Sequence, residues 1–207
     1  MDTTQISAII PLAVLQAVRT LDQQGPERMA EYHDELTPKR LGMNPTVTAQ
    51  IERYRQLAQR NGAVGVDEVV QLFRLVGRRN DAGLAFSQAG RLAAQHALRQ
   101  TPTPLKMANK MALGSLKRRM GLKSATRLAA TVFDSTMTVD EQDGVVVVAH
   151  HATTKATPDG SSCGFYGSAL AEILRSMTEF DGALLHETCI VRGDECCRWH
   201  TSNNQGW

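Results

Sequence analysis

The chain has 207 residues, of which 42% are hydrophobic and only 5% aromatic. This length allows one domain, or one domain with an extension, and it suffices for a core of mainly aliphatic side chains. The formal net charge is +2, so the chain as a whole is neither strongly basic, as nucleic-acid-binding proteins often are, nor acidic.

The N-terminal segment shows no targeting signal. It lacks the basic start of a secretory signal peptide, and its apolar run is interrupted too early to span a bilayer. Four cysteines without an export signal favour reduced thiols over disulfide bonds. We therefore expect a cytoplasmic location, with contact to a membrane surface as a further option.

Helical periodicity dominates residues 1–80. Apolar spacing predicts helices over 9–23, from 26 towards 36, and over 46–60. Asp67 stands where it could cap a fourth helix. We expect these helices to form an N-terminal helical region that covers the following domain, residues 81–207, or that serves as a dimer interface.

Two helices of contrasting composition are predicted next. The segment 81–100 is rich in glycine and alanine, so it either packs tightly against a neighbour or leaves room beside it for a ligand. The segment 105–120 combines methionines with lysines and arginines, and a further helical turn or two is expected at 124–130. No acidic residue occurs in the 52 positions between Asp81 and Asp134, which concentrates positive charge here.

The last part of the chain is predicted to form two β-hairpins with a helix between them. An Asp-Gly pair marks the first turn, and Arg192-Gly193-Asp194 marks the second. The helix begins near Gly164. The predicted strands cover 131–139, 145–151, 183–191 and 196–201. The sequence thus predicts an α+β fold, in which an antiparallel sheet packs against helices.

The cysteines and nearby histidines raise the question of a metal site. Cys189 and Cys197 lie on either side of the second hairpin turn, so we expect them to be close on paired strands. Together with Cys196 and His186 or His200, they are ligand types that zinc prefers. Adjacent residues of a strand face opposite sides, however, which makes a closed site from this hairpin awkward. The sequence therefore favours Cys189 and Cys197 as small buried residues on the inner face of the sheet, and a transient redox or metal role is the alternative.

The basic, methionine-rich segment has three interpretations. It is a solvated surface helix, a contact for anionic lipid headgroups, or one wall of a pocket for a flat apolar ligand that carries carboxylates. In the third case the candidate ligand-binding residues are Lys106, Met107, Lys110, Met111, Lys117, Arg118 and Arg119. His96 or His150 could then coordinate a metal at the centre of a macrocycle, although the position of His96 favours a partly exposed polar residue near a helix C-terminus.

No pattern in the sequence indicates a nucleotide cofactor. No glycine-rich loop follows a strand and precedes a helix, so we expect no NAD(P) site. The basic segment lacks interleaved aromatic residues, so we expect no nucleic-acid partner. No cysteine has an evident base nearby in sequence, and nucleophilic catalysis is not indicated.

Residues 162–201 resemble the C-terminal half of the vinyl-4-reductase domain family, which is related in fold to the TRAPP vesicle-tethering subunits. In that family a helix containing glycine and phenylalanine precedes a glutamate, two cysteines, a Gly-Asp turn between them and a final aromatic residue. The corresponding residues here are Gly164, Phe165, Gly167, Glu187, Cys189, Gly193, Asp194, Cys197 and Trp199.

The resemblance implies a function in pigment synthesis. Related members are assigned to bacteriochlorophyll biosynthesis, at reduction of the 8-vinyl group of a divinyl tetrapyrrole. It implies a magnesium tetrapyrrole as ligand, other enzymes of this biosynthesis as partners and a homodimer, and it adds Phe165 to the candidate ligand-binding residues. Because no hydride-donor site is recognisable, we expect a protein that binds or presents the precursor. A vinyl reductase served by a partner electron donor and a ligand-sensing dimeric scaffold are the alternatives.

Overall fold

The computed structural model describes residues 5–23, 42, 44–101, 114–140, 144–149, 152–178 and 180–201. The helices are α1 (Ile9–Gln23), α2 (Pro45–Gln59), α3 (Val66–Gly77), α4 (Ala82–Gln100), α5 (Gly114–Phe133) and α6 (Cys163–Thr178). The strands are β1 (Gln5–Ser7), β2 (Ala63–Gly65), β3 (Ser135–Asp140), β4 (Gly144–Ala149), β5 (Leu184–Thr188) and β6 (Cys197–Thr201). The predicted α+β class is confirmed.

Helix α6 is the element against which two other long helices pack. Helix α4 contacts α6 and α1, and helix α5 contacts α6 and β3. Gly90 of α4 lies so close to α6 that a Cβ there would overlap the carbonyl oxygen of Phe165. Gly121 of α5 lies equally close to the carbonyl oxygen of Met177, near the other end of α6. The two helices therefore make their tightest contacts at opposite ends of α6.

The aromatic side chains of the core gather at the N-terminal half of α6. The ring of Phe165 lies 5.4 Å from Phe73 of α3, 6.1 Å from Phe133 of α5 and 5.2 Å from Tyr166, measured between centroids. Phe86 of α4 adds a further ring, 5.1 Å from Phe73. Since these rings come from four helices, one continuous core holds the helices together on both sides of residue 80.

The larger sheet has the strand order β3-β4-β6-β5 and is antiparallel throughout. Its register pairs Ala149 with Cys197 and Val147 with Trp199. Strand β5 is an edge strand, and its pairing with β6 is irregular between His186 and Thr188. A second, two-stranded sheet joins β1 to β2. Periodicity did not predict it, because each strand has only three residues.

Three local predictions differ from the structure. Helix α5 continues to Phe133, where a strand over 131–139 was expected, because Ala125, Ala129 and Phe133 recur every four residues and are buried. Strand β5 ends at Thr188, and residues 190–192 form a 3₁₀ turn. Asp67 lies in the first turn of α3, which Gly65 caps.

Some predictions fall on residues that the structure does not describe. These are the helix expected from 26 towards 36 and the first part of the one expected over 105–120. The division into regions 1–80 and 81–207 stays a prediction. None of the helices in the described ranges has the length and apolar character needed to cross a membrane.

Candidate functional site

Three cysteines and one histidine from separate parts of the chain converge beside the start of α6. Cys163 is the first residue of α6, His186 lies on β5, Cys189 follows β5, and Cys197 is the first residue of β6. Cys163 Sγ lies 3.7 Å from Cys189 Sγ and 3.4 Å from Cys197 Sγ. The potential ligand atoms of all four side chains lie within 4.8 Å of one another. We call this group the thiol–imidazole cluster.

The turn between β5 and β6 fixes the position of Cys189. Gly193 has φ of +96°, a left-handed conformation that favours glycine, and it ends the 3₁₀ turn. Beyond it, Asp194 Oδ2 accepts a hydrogen bond of 2.6 Å from the Cys189 amide. The Cys189 carbonyl in turn accepts from the Arg192 amide at 2.8 Å. The Arg-Gly-Asp sequence thus folds back on Cys189 and holds its backbone in place.

The three cysteines of the cluster are buried, His186 is partly exposed, and the two closest sulfur atoms, those of Cys163 and Cys197, are hydrogen-bonded. The hydrogen bond between Cys163 and Cys197 lowers the pKa of Cys197 to about 4. The same hydrogen bond is the main cause of a raised pKa at Cys163, and burial adds to it. Cys197 is therefore the sulfur atom that carries negative charge most readily. Thiolate sulfur is the form that binds metal ions.

The composition and spacing of the cluster fit a tetrahedral zinc ion. Structural zinc sites commonly combine three cysteines with one histidine, and Zn–S bonds of about 2.3 Å place two sulfurs roughly 3.8 Å apart. The two sulfur–sulfur distances given above lie close to that value. The His186 ring stacks on Trp199, with centroids 4.6 Å apart and an angle of 12° between the planes. This stacking orients the imidazole, as a supporting group around a metal ligand does.

The sequence predicted only part of this cluster. Cys189 and Cys197, the two proposed metal ligands, both belong to it. Cys196 does not, and His200 lies apart, with its Nδ1 3.7 Å from Glu187 Oε2. Cys163 was missed because 34 positions separate it from Cys197. A sequence signal for the fourth member was the short His-x-x-Cys spacing of residues 186 and 189.

A separate cavity of about 480 Å³ opens between α4 and α5. We call it the α4–α5 cavity. The cavity lies near the C-terminal end of α4, beyond the close contact of Gly90 with α6, and next to the C-terminal half of α5. Its described lining consists of Asn61, Ala97, Gln100, Thr101, Ser124, Arg127, Leu128, Thr131, Val132 and Met177. The lining is mainly apolar, and Arg127 supplies a positive charge that is exposed to solvent.

The predicted ligand-binding residues whose side chains the structure describes lie outside the lining of this cavity. His96 Nε2 is 2.8 Å from Gln16 Oε1, at the contact between α4 and α1. Burial, assisted by Arg99 and Arg55, lowers the pKa of His96, so it is neutral near pH 7. Phe165 is fully buried among the core rings. None of the described lining residues is among those predicted.

The remaining candidates lie on α5 or outside the described residues. Arg118 and Arg119 are exposed on α5, before the part that lines the cavity. The backbone of Lys117 belongs to α5, but its side chain is not described. Residues 106, 107, 110, 111 and 150 lie outside the described ranges. Arg127 and Gln100, which do line the cavity, were not predicted because their proximity depends on how α4 and α5 pack.

Residues 160–164, Gly-Ser-Ser-Cys-Gly, have a Gly-x-Ser-x-Gly spacing that the sequence analysis did not single out, and they do not form a catalytic elbow. Ser162 is fully buried. Its hydroxyl donates to the Thr154 carbonyl at 3.1 Å and accepts from Thr157 Oγ1 at 3.0 Å. A nucleophilic serine needs an accessible hydroxyl and an adjacent base. Ser162 instead anchors the loop that leads into α6.

No protein-family model, curated protein or solved structure matches this chain. The resemblance of residues 162–201 to vinyl-4-reductase domains therefore stays a prediction. Any assignment of function depends on that resemblance together with the two sites described above.

Proposed function

We propose that this chain is a tetrapyrrole-binding protein of bacteriochlorophyll biosynthesis, which binds or presents a divinyl chlorophyllide-type precursor for 8-vinyl reduction. The observation that carries the proposal is the α4–α5 cavity. Its volume of about 480 Å³ is in the range of small-molecule sites. It borders the alanine-rich helix, for which the sequence allowed either tight packing against a neighbour or room beside it for a ligand.

Apolar contacts would provide most of the affinity. Ala97 comes from α4, Leu128 and Val132 come from α5, and Met177 comes from α6. These side chains present aliphatic carbon and a polarizable thioether, which suit the faces of an aromatic macrocycle. Removing apolar surface from water stabilises a complex by roughly 25 cal/mol per Å², before the costs of ordering the partners.

The charge around the cavity favours a ligand with acidic groups. Arg119, Lys123 and Arg127 recur every four residues, so they follow one side of α5 towards the cavity, and all three are exposed. The stretch 82–133, which contains α4 and α5, has no acidic residue. A carboxylate that approaches between the two helices therefore meets cations of both and no like charge from either.

The thiol–imidazole cluster has a supporting part in this proposal. We assign to it a structural zinc ion, held by Cys163, His186, Cys189 and Cys197. The ion would link the first residue of α6 to the edge of the sheet. Four protein ligands leave no open position for a reacting molecule, as is typical of structural zinc. Homodimer formation, membrane contact and association with other biosynthetic enzymes stay predictions.

The test is a spectroscopic titration with divinyl protochlorophyllide, a magnesium-containing probe. We expect a red-shifted Soret band that saturates at about one pigment per chain, since one cavity is assigned to the ligand. Leu128→Trp fills part of the cavity and should weaken binding. Leu84→Trp is the matched control, because Leu84 is 57% exposed on α4 and lies outside the cavity.

Two outcomes would count against the proposal. An unchanged pigment spectrum with the purified wild-type chain would remove it altogether. Equal affinity of wild type and Leu128→Trp would show that any pigment binds at another place than the α4–α5 cavity.

A further inference from the structure

The described hydroxyl groups that line the cavity all donate a hydrogen bond to a backbone carbonyl. Each donates to the carbonyl oxygen four residues earlier in its chain: Thr101 to Ala97, Ser124 to Met120 and Thr131 to Arg127, at 3.3, 3.0 and 2.8 Å. A hydroxyl has one hydrogen to donate. Towards a ligand, these three side chains therefore act as hydrogen-bond acceptors through the lone pairs of their oxygen atoms, and they do not act as donors.

Gln100, the last residue of α4, presents a further acceptor. Its Nε2 donates to the Ala58 carbonyl of α2 at 2.8 Å. Only the NH₂ end of an amide can donate to a carbonyl, so this bond fixes which end of the side chain is which. The amide oxygen Oε1 is left as the free end of a residue that lines the cavity. No described group donates a hydrogen bond to it.

The described donors at the cavity belong to two side chains. Arg127 supplies a guanidinium with several N–H groups, and Asn61 supplies an amide. No described carboxylate lies within ion-pair distance of Arg127. The cavity thus combines one exposed cation with several oxygen acceptors among apolar side chains. Its ligand should carry an anionic group together with a centre that attracts oxygen.

A magnesium-containing ring meets both requirements, whereas a metal-free ring meets only one. Magnesium is a hard ion that prefers oxygen ligands, and in a planar ring its axial position is open. The N–H groups of a metal-free ring point inwards and offer nothing to an acceptor above the plane. The acceptors of the cavity therefore distinguish two ligands that have the same outline.

We propose that Gln100 makes this cavity selective for the magnesium-containing ring, by coordinating the metal through Oε1, while Arg127 binds a carboxylate tail of the same molecule. The inference rests on the proposed function and assigns the parts of that one site. It replaces His96 as the axial ligand, because His96 Nε2 is already paired with Gln16.

The metal-selectivity test uses magnesium protoporphyrin IX and protoporphyrin IX as probes, with dissociation constants from fluorescence titration. Gln100→Leu should weaken binding of the magnesium probe about tenfold and change binding of the metal-free probe by less than about twofold. Gln100→His should restore the preference, because an imidazole nitrogen can take the axial position. Gln71→Leu, exposed on α3, is the matched control.

The carboxylate test adds the dimethyl ester of magnesium protoporphyrin IX, which has no acid groups. Arg127→Gln should weaken binding of both acidic probes about tenfold and leave the ester within about twofold. Arg91→Gln, exposed on α4 and outside the lining, should leave all three unchanged. Because the ester and the metal-free ring still bind in these variants, each titration also reports that the cavity has kept its fold.

The results separate this inference from the proposed function. If wild type binds none of the probes, the proposed function fails and the inference fails with it. If wild type binds them but Gln100→Leu affects the magnesium and metal-free rings equally, or neither, only the assignment of Gln100 is overturned. Equal weakening of acid and ester in Arg127→Gln would overturn the assignment of Arg127.

Discussion

The two ends of α6 show how one helix supports a closed site and an open one. Cys163 and Met177 lie roughly 20 Å apart along the axis, at about 1.5 Å per residue. At the Cys163 end, four side chains converge until their ligand atoms lie within 4.8 Å of one another. At the Met177 end, a cavity of about 480 Å³ is present.

The difference follows from which elements lie beside α6 at each end. Gly90 allows α4 to approach the start of α6, and Gly121 allows α5 to approach its end. Each contact is so close that a methyl group would not fit. The described parts of α4 and α5 make few direct contacts with each other, and the cavity lies between their C-terminal parts. At the Cys163 end, the other members of the cluster come from β5, the residue that follows it and the start of β6, and not from α4 or α5.

Removal of one proposed metal-coordinating side chain at the Cys163 end of α6 should have the largest effect. Cys163→Ala leaves three of four ligands, so we expect the zinc content of purified protein to fall from about one ion per chain to nearly none, and the melting temperature to fall with it. Atomic spectroscopy and calorimetry measure the two quantities. Cys196→Ala, outside the cluster, is the control and should keep the metal. Stoichiometric zinc in Cys163→Ala would contradict the assigned ligand set.

The next largest effect should come from the helix contact that borders the open end. Gly121→Ala places a methyl group against the Met177 carbonyl, which is backbone and cannot turn aside. We expect a loss of about 1–3 kcal/mol in the free energy of unfolding, as for other overpacked sites. Gly83→Ala is the matched control in α4, where nothing lies within 4 Å of the added Cβ. It should raise stability by about 0.5–1 kcal/mol in urea denaturation.

Equal stability changes in these two glycine variants would show that α5 does not approach α6 as closely as described.

A smaller effect should appear in the pH dependence of the unfolding free energy of the metal-free, reduced protein. The pKa of Cys197 falls from 9.0 to about 4 on folding, because Cys163 donates a hydrogen bond to it. The stability that this group contributes is thus fully present above about pH 9 and is lost as the pH falls towards 4. The difference in unfolding free energy between wild type and Cys197→Ser should shrink from about pH 8 to about pH 5. Cys196→Ser should show no such trend.

A constant difference between wild type and Cys197→Ser over that pH range would mean that Cys163 and Cys197 share no proton. The two sulfurs would then behave as ordinary buried thiols.

The smallest effect should be the influence of pigment binding in the α4–α5 cavity on the thiol–imidazole cluster at the other end of α6. If the closed end only fastens the sheet and the open end only binds pigment, saturating pigment should change the rate of zinc transfer to a coloured chelator by less than about twofold. The chelator's absorbance measures this rate directly. If pigment slows zinc transfer from the wild-type chain several-fold but does not slow it from the Leu128→Trp variant, α6 couples the two sites.

Local periodicity in the sequence determined most of the helices. The predicted span 9–23 matches α1, and the prediction 46–60 lies within one residue of α2 at each end. The Arg-Gly-Asp turn was also predictable, since a left-handed glycine leaves a clear signal. These features depend on residues within a few positions of one another, which a single sequence displays.

Tertiary packing alone decided the two sites. Cys163 joins His186 and Cys197 because α6 starts beside the sheet, and Gln100 and Arg127 line one cavity because the C-terminal parts of α4 and α5 lie near each other. The chemistry at each site depends on atoms brought together from distant parts of the chain. Periodicity indicates which face of a helix is buried, but the distance between two faces follows from the packing of the whole core.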